Sequence, residues 1–530
     1  MEKLRAFAEF ETFYAQFRPL TPFGRLRREE RRFFTGAAEL KAEYDLAAAA
    51  GAFLAANRHK ADKLRFHLRN IPAADLSPEA LAGAPGLFLA RKFLFNACEV
   101  FRLLPAPLRT KSGARWASDD LLDLLNKGGS GEGFHLADAY SPELAEARAA
   151  IAACDKTLKA LREKRQKALR ERWALDFSER DFLVVDEASA AKLSGAAELF
   201  VEPFDGTHIT VKPVYGQDHM EVTAERDRLR AKEQELEAAV IKRLAAAVTA
   251  ERKHFEAYAA ALERLDLAAE RARLAAELKL ERPLIKKFPA PLKLVKARFL
   301  PLEARLAQSG LKYTPLTASF TRRVNVIYGS NMGVKTVALK TLAFCQLLAQ
   351  HGFFVPAASF ETALFDGAAF IGGAEMETAG GLSSFGLEMN DFAEAHARLK
   401  GENLLLVMDE FARTTNSEEA VALLGAILGD LAEKTSACAF LATHFSGLRP
   451  GGSAAFRMRG FDTAAFNEYF SGKPACGLGE KLRMINRFMR YELLEGGEEA
   501  QARDAIKIAG ILGVAKSIVK KAQEFMEDKK

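Results

Sequence analysis

The chain has 530 residues, of which 49% are hydrophobic and 28% are charged, and its formal net charge is +6. This composition is typical of a globular protein with several domains, and no apolar run reaches the length of about 18 residues that a membrane span needs. Five scattered cysteines argue against a disulfide framework or a zinc site. Because the N-terminus also lacks the apolar segment of a secretory signal, we expect a soluble, cytoplasmic protein.

Residues 1–140 are predicted to form a helical core, since apolar residues recur there at helical spacing and prolines separate the helices. A glycine-rich stretch at 128–133 lies near the end of this region. Clusters of Lys and Arg, such as the one at 25–32, contain or adjoin acidic residues. The net charge permits a polyanionic partner, but these clusters favour solvated helix faces over a nucleic-acid footprint.

Residues 141–285 are predicted to contain two long helical stretches around a small β insert. Ser141 and Pro142 provide an N-cap and a first-turn proline for a charged helix that runs to about Trp173. Short β-rich runs separated by turn residues follow between 182 and 222.

The second helical stretch covers about 223–280 and has few helix breakers. An unbroken helix of that length would be far longer than one domain is wide. The stretch is therefore either a coiled-coil arm or a helix that turns once between 254 and 266. Two long arms around a β insert suggest a lever that carries motion over distance.

From about Phe299 the composition becomes typical of an α/β domain. The predicted domain bounds are 286–320 for a return to the core and 321–530 for the last domain. Three apolar runs have the pattern of buried strands, and helical stretches separate them, as a parallel sheet requires. These runs are 324–328, 404–408 and 438–442.

The first of these strands leads straight into a glycine loop and an apolar helix. The loop has the sequence Gly329-Ser330-Asn331-Met332-Gly333-Val334-Lys335-Thr336. A phosphate loop needs this strand-to-helix turn, a lysine for the β- and γ-phosphates and a hydroxyl for Mg²⁺. Lys335 and Thr336 match the last two needs, whereas Val334 stands where glycine is usual. We interpret the loop as a phosphate site; the alternative is an ordinary glycine turn.

Polar residues also follow the other two strands. Asp409 at the end of a buried strand can hold Mg²⁺, and Glu410 can polarise the attacking water as a general base. A helix cap is the alternative, although it would explain one acid better than two. His444 ends the third strand, which should lie beside the first two, and could contact the γ-phosphate; a structural histidine is the alternative.

A second anion-binding pattern lies at 380–389, where glycines together with Ser383 and Ser384 precede a helix. Since the site already has one phosphate loop, this segment is predicted to serve the nucleotide of another subunit. That arrangement would be a nucleotide-sandwich dimer. The alternative is a simple capped helix.

Together these motifs resemble the ATPase domain of the MutS family. The resemblance is specific over roughly 320–525 and only architectural before that. The matching segments are Asn331-Met332-Gly333, Ser383-Ser384-Phe385 with Glu388-Met389, Leu406 to Glu410, and Ala442 to Phe445. The segment from Lys335 to Thr341 is most similar to the second bacterial MutS branch.

The resemblance implies an ABC-type P-loop ATPase domain at the C-terminus, which uses ATP and Mg²⁺ and ends in dimerisation helices. It would follow a mainly helical core (1–140 and 286–320) with lever helices and a clamp (141–285). Lys335 and the loop from Gly329 would bind phosphates, Thr336 and Asp409 would hold Mg²⁺, and Glu410 would be the base. His444 would sense the γ-phosphate, and Ser383 and Ser384 would reach the partner's nucleotide.

The chain departs from the family in the mismatch-reading parts and in the dimer loop. The chain has no room for the mismatch-recognition and connector domains, and Ala15 follows Phe13-Tyr14 where the mismatch wedge has glutamate. Residues 412–416 also differ from the usual dimer loop, in which Arg413 to Asn416 would lie between protomers. The short chain and this loop resemble the MutS-like reactivation factors of B12-dependent lysine and ornithine aminomutases.

Two hypotheses for the client therefore remain. In the first, an ATP-switched homodimer, or a heterodimer with a related subunit, clamps duplex DNA in repair or recombination without reading mismatches. In the second, the same machine reactivates a B12-dependent aminomutase.

Overall fold

The computed structural model describes residues 1–73, 75–128, 136–329, 334–373, 384–445, 448, 451–470, 488–496 and 504–527. The chain divides into two units. Unit 1 comprises Met1–Phe66, Leu103–Ala114 and Ala261–Lys530, and unit 2 comprises His67–Arg102 and Arg115–Ala260. Among the helices so described, none combines the length and the apolar character needed to cross a bilayer.

The first half of the chain is mostly helical. Its elements are α1 (Glu2–Phe7), α2 (Phe10–Tyr14), α3 (Pro22–Glu29), α4 (Ala37–Ala56), α5 (Arg58–Asn70), α6 (Pro78–Leu81), α7 (Ala84–Leu103), α8 (Ala106–Ser112), α9 (Asp119–Asn126), a 3-10 turn (Asp138–Tyr140), α10 (Pro142–Trp173), β1 (Leu183–Asp186), α11 (Glu187–Ala191), β2 (Leu199–Pro203), β3 (His208–Pro213), α12 (Gln217–Ala250) and α13 (Arg252–Leu278).

The second half alternates strands and helices. Its elements are β4 (Leu284–Lys286), β5 (Leu292–Ala297), α14 (Leu300–Gln308), β6 (Leu316–Phe320), β7 (Val324–Tyr328), α15 (Val334–Gln350), β8 (Ser359–Ala363), β9 (Gly367–Gly372), α16 (Ser384–Arg398), β10 (Leu404–Asp409), α17 (Ser417–Glu433), β11 (Ala437–Thr443), β12 (Ala454–Phe461), α18 (Thr463–Phe470), β13 (Met489–Glu495), α19 (Asp504–Leu512) and α20 (Lys516–Glu527).

The long helix α10 of unit 2 begins and ends where the sequence predicts. The Ser141 hydroxyl accepts a hydrogen bond from the Leu144 amide and so caps the first turn. At the other end Ala174 adopts a left-handed conformation with φ 56°, which stops the helix after Trp173. Arg148 joins α10 to α12 through ion pairs with Glu233 and Glu237, at 2.7 and 2.6 Å.

The predicted second helical stretch is interrupted once, at Glu251. There the helix α12 ends with φ −94° and ψ 11°, and α13 begins at the next residue. The interruption lies three residues before the predicted interval. The Glu251 carboxylate accepts a hydrogen bond from the Ser118 hydroxyl. No glycine or proline marks this point, so the sequence gives no local signal for it.

Unit 2 also contains a three-stranded antiparallel sheet in the order β1-β3-β2. Its strands correspond to the β-rich runs predicted between 182 and 222. A small core supports the sheet, and it includes Leu169 of α10 together with Phe177, Leu199 and Val211.

Unit 1 is built on a six-stranded sheet in the order β13-β12-β7-β11-β10-β9, in which β13 alone runs antiparallel to its neighbour. The three predicted strands are β7, β10 and β11, and β11 lies between the other two as expected. Residues of β7, β10 and β11 contribute alternately to two cores, one that includes α15 and one that includes α16 and α17. These strands are apolar without alternation because both of their faces are buried.

A second sheet of unit 1 has the order β4-β8-β5-β6. Near it, the first two helices pack on the α/β region, and Phe13 is 1% exposed with its ring edge-on to Phe344 and Phe353. Phe13 is thus a core residue of unit 1.

Candidate functional site

The carboxyl ends of β7, β11 and β10 come together at one edge of the six-stranded sheet. Tyr328 is the register partner of Thr443, and Ala442 is the partner of Asp409. The residues that directly follow these strands therefore share one edge. This alignment brings together Gly329 after β7, the two acids at the end of β10 and His444 after β11, as the sequence predicts.

Lys335 lies in the first turn of α15 and is 2% exposed. Its ammonium donates a hydrogen bond to the Gly329 carbonyl at 2.7 Å, across the start of the loop. Burial lowers the pKa of Lys335, while the charges of Glu410 and Asp409 raise it. Residues Ser330, Asn331, Met332 and Gly333, and the side chain of Val334, lie outside the described part of the chain.

Thr336 and Asp409 form a pair between α15 and β10. The Thr336 hydroxyl donates a hydrogen bond to Asp409 Oδ2 at 2.9 Å. The other carboxylate oxygen, Oδ1, is buried and has no hydrogen-bond partner among the described residues. Burial raises the pKa of Asp409, and the neighbouring Glu410 carboxylate raises it further. An unpaired buried carboxylate oxygen beside a hydroxyl is a donor set that fits Mg²⁺.

Glu410 occupies a left-handed backbone conformation with φ 51°. Such a conformation costs about 1–2 kcal/mol for a residue with a side chain, so its neighbours must hold it in place. Its amide donates to the Ala442 carbonyl at 2.9 Å. Its carboxylate accepts a hydrogen bond from Arg413 Nη1, also at 2.9 Å.

Glu388 of α16 supports the same turn, a role that sequence reasoning did not assign. Its Oε2 accepts a hydrogen bond from the amide of Ala412, which is itself left-handed with φ 63°. Glu388 is 4% exposed, and burial raises its pKa. The sequence signal that could have identified Glu388 is its position as an acid within the otherwise apolar stretch that begins α16. Arg413, predicted to lie between protomers, here pairs with Glu410 of its own chain.

Gly372 is a further residue that the sequence did not single out. It is the register partner of Asp409 and has φ 127°. A Cβ atom added there would lie 2.2 Å from the Asp409 carbonyl oxygen. Only glycine lets β9 approach the end of β10 this closely.

His444 is exposed at the end of β11, and its ring centroid is 4.4 Å from that of Phe445. Burial lowers its pKa, the Glu410 carboxylate raises it, and Lys335 and Arg413 lower it. The histidine therefore lies in the field of the same charged groups. Ser384 begins α16, whereas its side chain and the whole of Ser383 lie outside the described residues.

The helix that carries Lys335 is also bound to the N-terminal segment of unit 1. Glu9 accepts hydrogen bonds from Lys340 of α15 at 2.9 Å and from Arg305 of α14 at 2.6 Å. The hydrogen bond from Arg305 is the main cause that lowers the pKa of Glu9. The ion pair between Lys340 and Glu9 therefore links α15 to the segment between α1 and α2.

Residues 325–529 match the family model of MutS domain V, the ATPase domain of that family. The matched segment begins inside β7 and covers the site from Gly329 to His444, whereas Glu9 and Arg305 lie before it. The match supports membership of the MutS family and an ATPase domain at the C-terminus.

Proposed function

We propose that the protein is a MutS-family ATPase that hydrolyses ATP at the carboxyl ends of β7, β10 and β11. The observation that carries the proposal is the buried, unpartnered Oδ1 of Asp409 beside the Thr336 hydroxyl. The buried Lys335 ammonium and the family match at 325–529 support it. Bound Mg²⁺ would neutralise charge on the phosphates, held by Thr336 and Asp409.

The roles proposed for the remaining residues are those that the resemblance to the MutS family implies. Lys335 and the loop from Gly329 to Val334 bind the phosphates, and Lys335 exchanges its bond to the Gly329 carbonyl for a phosphate oxygen. Glu410 takes a proton from the attacking water, and His444 senses the γ-phosphate. Before Glu410 can act as a base, its ion pair with Arg413 must break. Exposed ion pairs contribute about 0–1 kcal/mol to stability, so nucleotide binding can break this one.

The active form in this proposal is a dimer, either of two copies or with a related subunit. Ser383 and Ser384 reach the partner's nucleotide, and Arg413 to Asn416 lie between the protomers. ATP closes the two ATPase domains, and the long helices of 141–285 transmit that closure. The core of this layout is 1–140 with 286–320, and the ATPase domain is 321–530.

The client that we propose first is duplex DNA, held through its backbone without mismatch reading. The support is the second half of α10, where residues 156–172 contain eight Lys or Arg and two Glu. Such a helix can neutralise phosphates irrespective of base sequence. A role in DNA repair or recombination is the corresponding proposal.

The alternative is an ATP-dependent reactivase of a B12-dependent aminomutase. One observation favours a protein client over duplex DNA. The segment 174–216, which contains the β1-β3-β2 sheet, has eight acidic residues against three Lys or Arg. A net charge of −5 there repels a phosphate backbone.

The proposed activity is tested by calorimetry with ATP and Mg²⁺. Lys335→Ala should abolish ATP binding, while Lys400→Ala, an exposed lysine after α16, should leave it unchanged. Equal ATP affinity of Lys335→Ala and the unaltered protein would contradict the proposal.

A further inference from the structure

The small sheet of unit 2 has the strand order β1-β3-β2, so that among the strands of the described residues β2 pairs with β3 alone and its other edge is open. The Glu198 carbonyl accepts a hydrogen bond from Val214, and the Phe204 amide donates one to His208. In an antiparallel pair, alternate residues turn their backbone groups toward the neighbour. The amide and carbonyl of Val201 therefore face away from β3, toward the open side.

An apolar groove lies beside this open edge. It has a volume of about 550 Å³, and its lining includes Ala190, Leu193, Leu199, Val201 and Ile209, with Glu187 at the side of α11. Val201 is 38% exposed, and the neighbouring Phe200 is 53% exposed. An open strand edge next to exposed apolar side chains is the arrangement that accepts an added strand.

The net charge of residues 174–216 distinguishes between the ligands that the groove could bind. Residues 174–216 have a net charge of −5, of which Asp176 and Glu198 pair with Arg170 and Arg172 of α10. The groove lining itself contains Glu187 and no Lys or Arg, so the groove repels the phosphates of a nucleic acid. A second copy of this sheet would bring the same negative charge and is disfavoured for the same reason. A basic segment is attracted.

We propose that β2 and its groove bind an extended segment of a partner protein, in which apolar side chains alternate with Lys or Arg. The segment pairs with the backbone of Val201 and places its apolar side chains in the groove beside Leu199 and Ile209. On the opposite face a basic side chain meets Glu202, which also pairs with Lys212. Alternation follows from the two-residue period of a strand. This binding needs no nucleotide and does not depend on the proposed ATPase activity.

The test uses a fluorescein-labelled eight-residue peptide that alternates valine with lysine, titrated with the full chain and followed by fluorescence anisotropy. A peptide with glutamate in place of lysine is the charge control. The lysine peptide should bind saturably, and the affinity of the glutamate peptide should be lower by at least about tenfold. Absence of saturable binding of the lysine peptide, or equal binding of both peptides, would overturn the proposal.

A pair of matched variants locates the site. Val201→Lys places an ammonium group in the groove and should weaken binding of the lysine peptide about tenfold. Val184→Lys makes the same change at a valine of β1 that is 42% exposed and outside the groove lining, and should leave the affinity unchanged. Thermal melting followed by circular dichroism checks that both variants fold. Equal affinities for the two folded variants would contradict the assignment to β2.

The same variants distinguish a protein segment from a nucleic acid. An added lysine strengthens contact with phosphates and weakens contact with a basic peptide, so the two ligands respond with opposite sign. If Val201→Lys tightens the binding of a 20-base-pair duplex and that duplex displaces the peptide, the groove is a nucleic-acid site and the proposal is wrong.

Discussion

The buried carboxylate of Glu388 accepts a hydrogen bond from the amide of Ala412 at 2.9 Å, and this bond ties α16 to the turn that holds Glu410. Ala412 is fully buried and left-handed, so its amide has no access to water. The helix that begins at Ser384 thus contacts the turn after β10 through this hydrogen bond and through the ring of Phe392, whose centroid is 5.9 Å from that of Phe411. A displacement of α16 would move Glu410.

Glu388→Leu should destabilise the protein and slow hydrolysis. The buried amide of Ala412 loses its acceptor, at a cost of about 1–3 kcal/mol in the free energy of unfolding. A misplaced Glu410 should lower kcat roughly ten- to a hundredfold, with little change in the KM for ATP. Urea unfolding and steady-state ATPase assays measure the two effects.

Two variants serve as controls for Glu388→Leu. Glu388→Gln keeps an acceptor oxygen and should retain most of the stability and of kcat. Glu394→Leu changes an exposed acid of the same helix and should affect neither. If Glu388→Leu has the kcat of the unaltered protein, the bond to Ala412 does not position Glu410.

Asp409→Asn should raise the free energy of unfolding of the nucleotide-free protein at neutral pH. The pKa of Asp409 is raised by burial and by the Glu410 carboxylate, so ionisation of this group opposes folding. The stabilisation by asparagine should be largest above the raised pKa. It should vanish as the pH falls below the ordinary value for an unfolded aspartate, because the carboxyl is then neutral in both states.

Urea unfolding of both proteins between pH 3 and pH 8 measures this difference, since those limits bracket the ordinary pKa of about 4 for aspartate. The variant should also lose Mg²⁺-dependent ATP hydrolysis. A difference in stability that is independent of pH would show that the charge of Asp409 does not oppose folding.

Binding of duplex DNA should depend steeply on salt if α10 contacts phosphates. Lys164→Ala in the basic half of that helix should weaken binding and lower the slope of log affinity against log salt by about 0.9, as for one lost phosphate contact. Lys192→Ala in the acidic segment should change neither quantity. A mismatch in the duplex should have little effect.

Fluorescence anisotropy with matched and mismatched duplexes at several salt concentrations measures all three effects. Weak binding even at low salt would favour a protein client instead. Tight, mismatch-selective binding would contradict the DNA proposal in its present form, because it requires a reading element that the sequence does not reveal.

The strands that carry the site could be predicted from the sequence because both of their faces are buried. β7, β10 and β11 appear as continuous apolar runs, and the polar residues after each run fix where the strand ends. The third run was expected to lie beside the first two, and β11 pairs with both β10 and β7. Local sequence thus determines most of this edge of the sheet.

The parts that could not be predicted depend on contacts distant in sequence. β8 follows α15, yet it pairs with β4 and β5, which precede it by more than sixty residues. The bond from Ala412 to Glu388 crosses 24 residues. The interruption at Glu251 has no glycine or proline to mark it. These features depend on tertiary packing, so no local sequence pattern predicts them.

The most direct test of the proposed mechanism is single-turnover hydrolysis of ATP by Glu410→Gln. If Glu410 is the general base, the variant should bind ATP normally and accumulate as an ATP-bound dimer. Its rate of ATP hydrolysis should fall by at least about a hundredfold. Glu418→Gln, at an exposed acid in the first turn of α17, is the matched control and should hydrolyse ATP normally. Hydrolysis by Glu410→Gln at the rate of the unaltered protein would contradict the account.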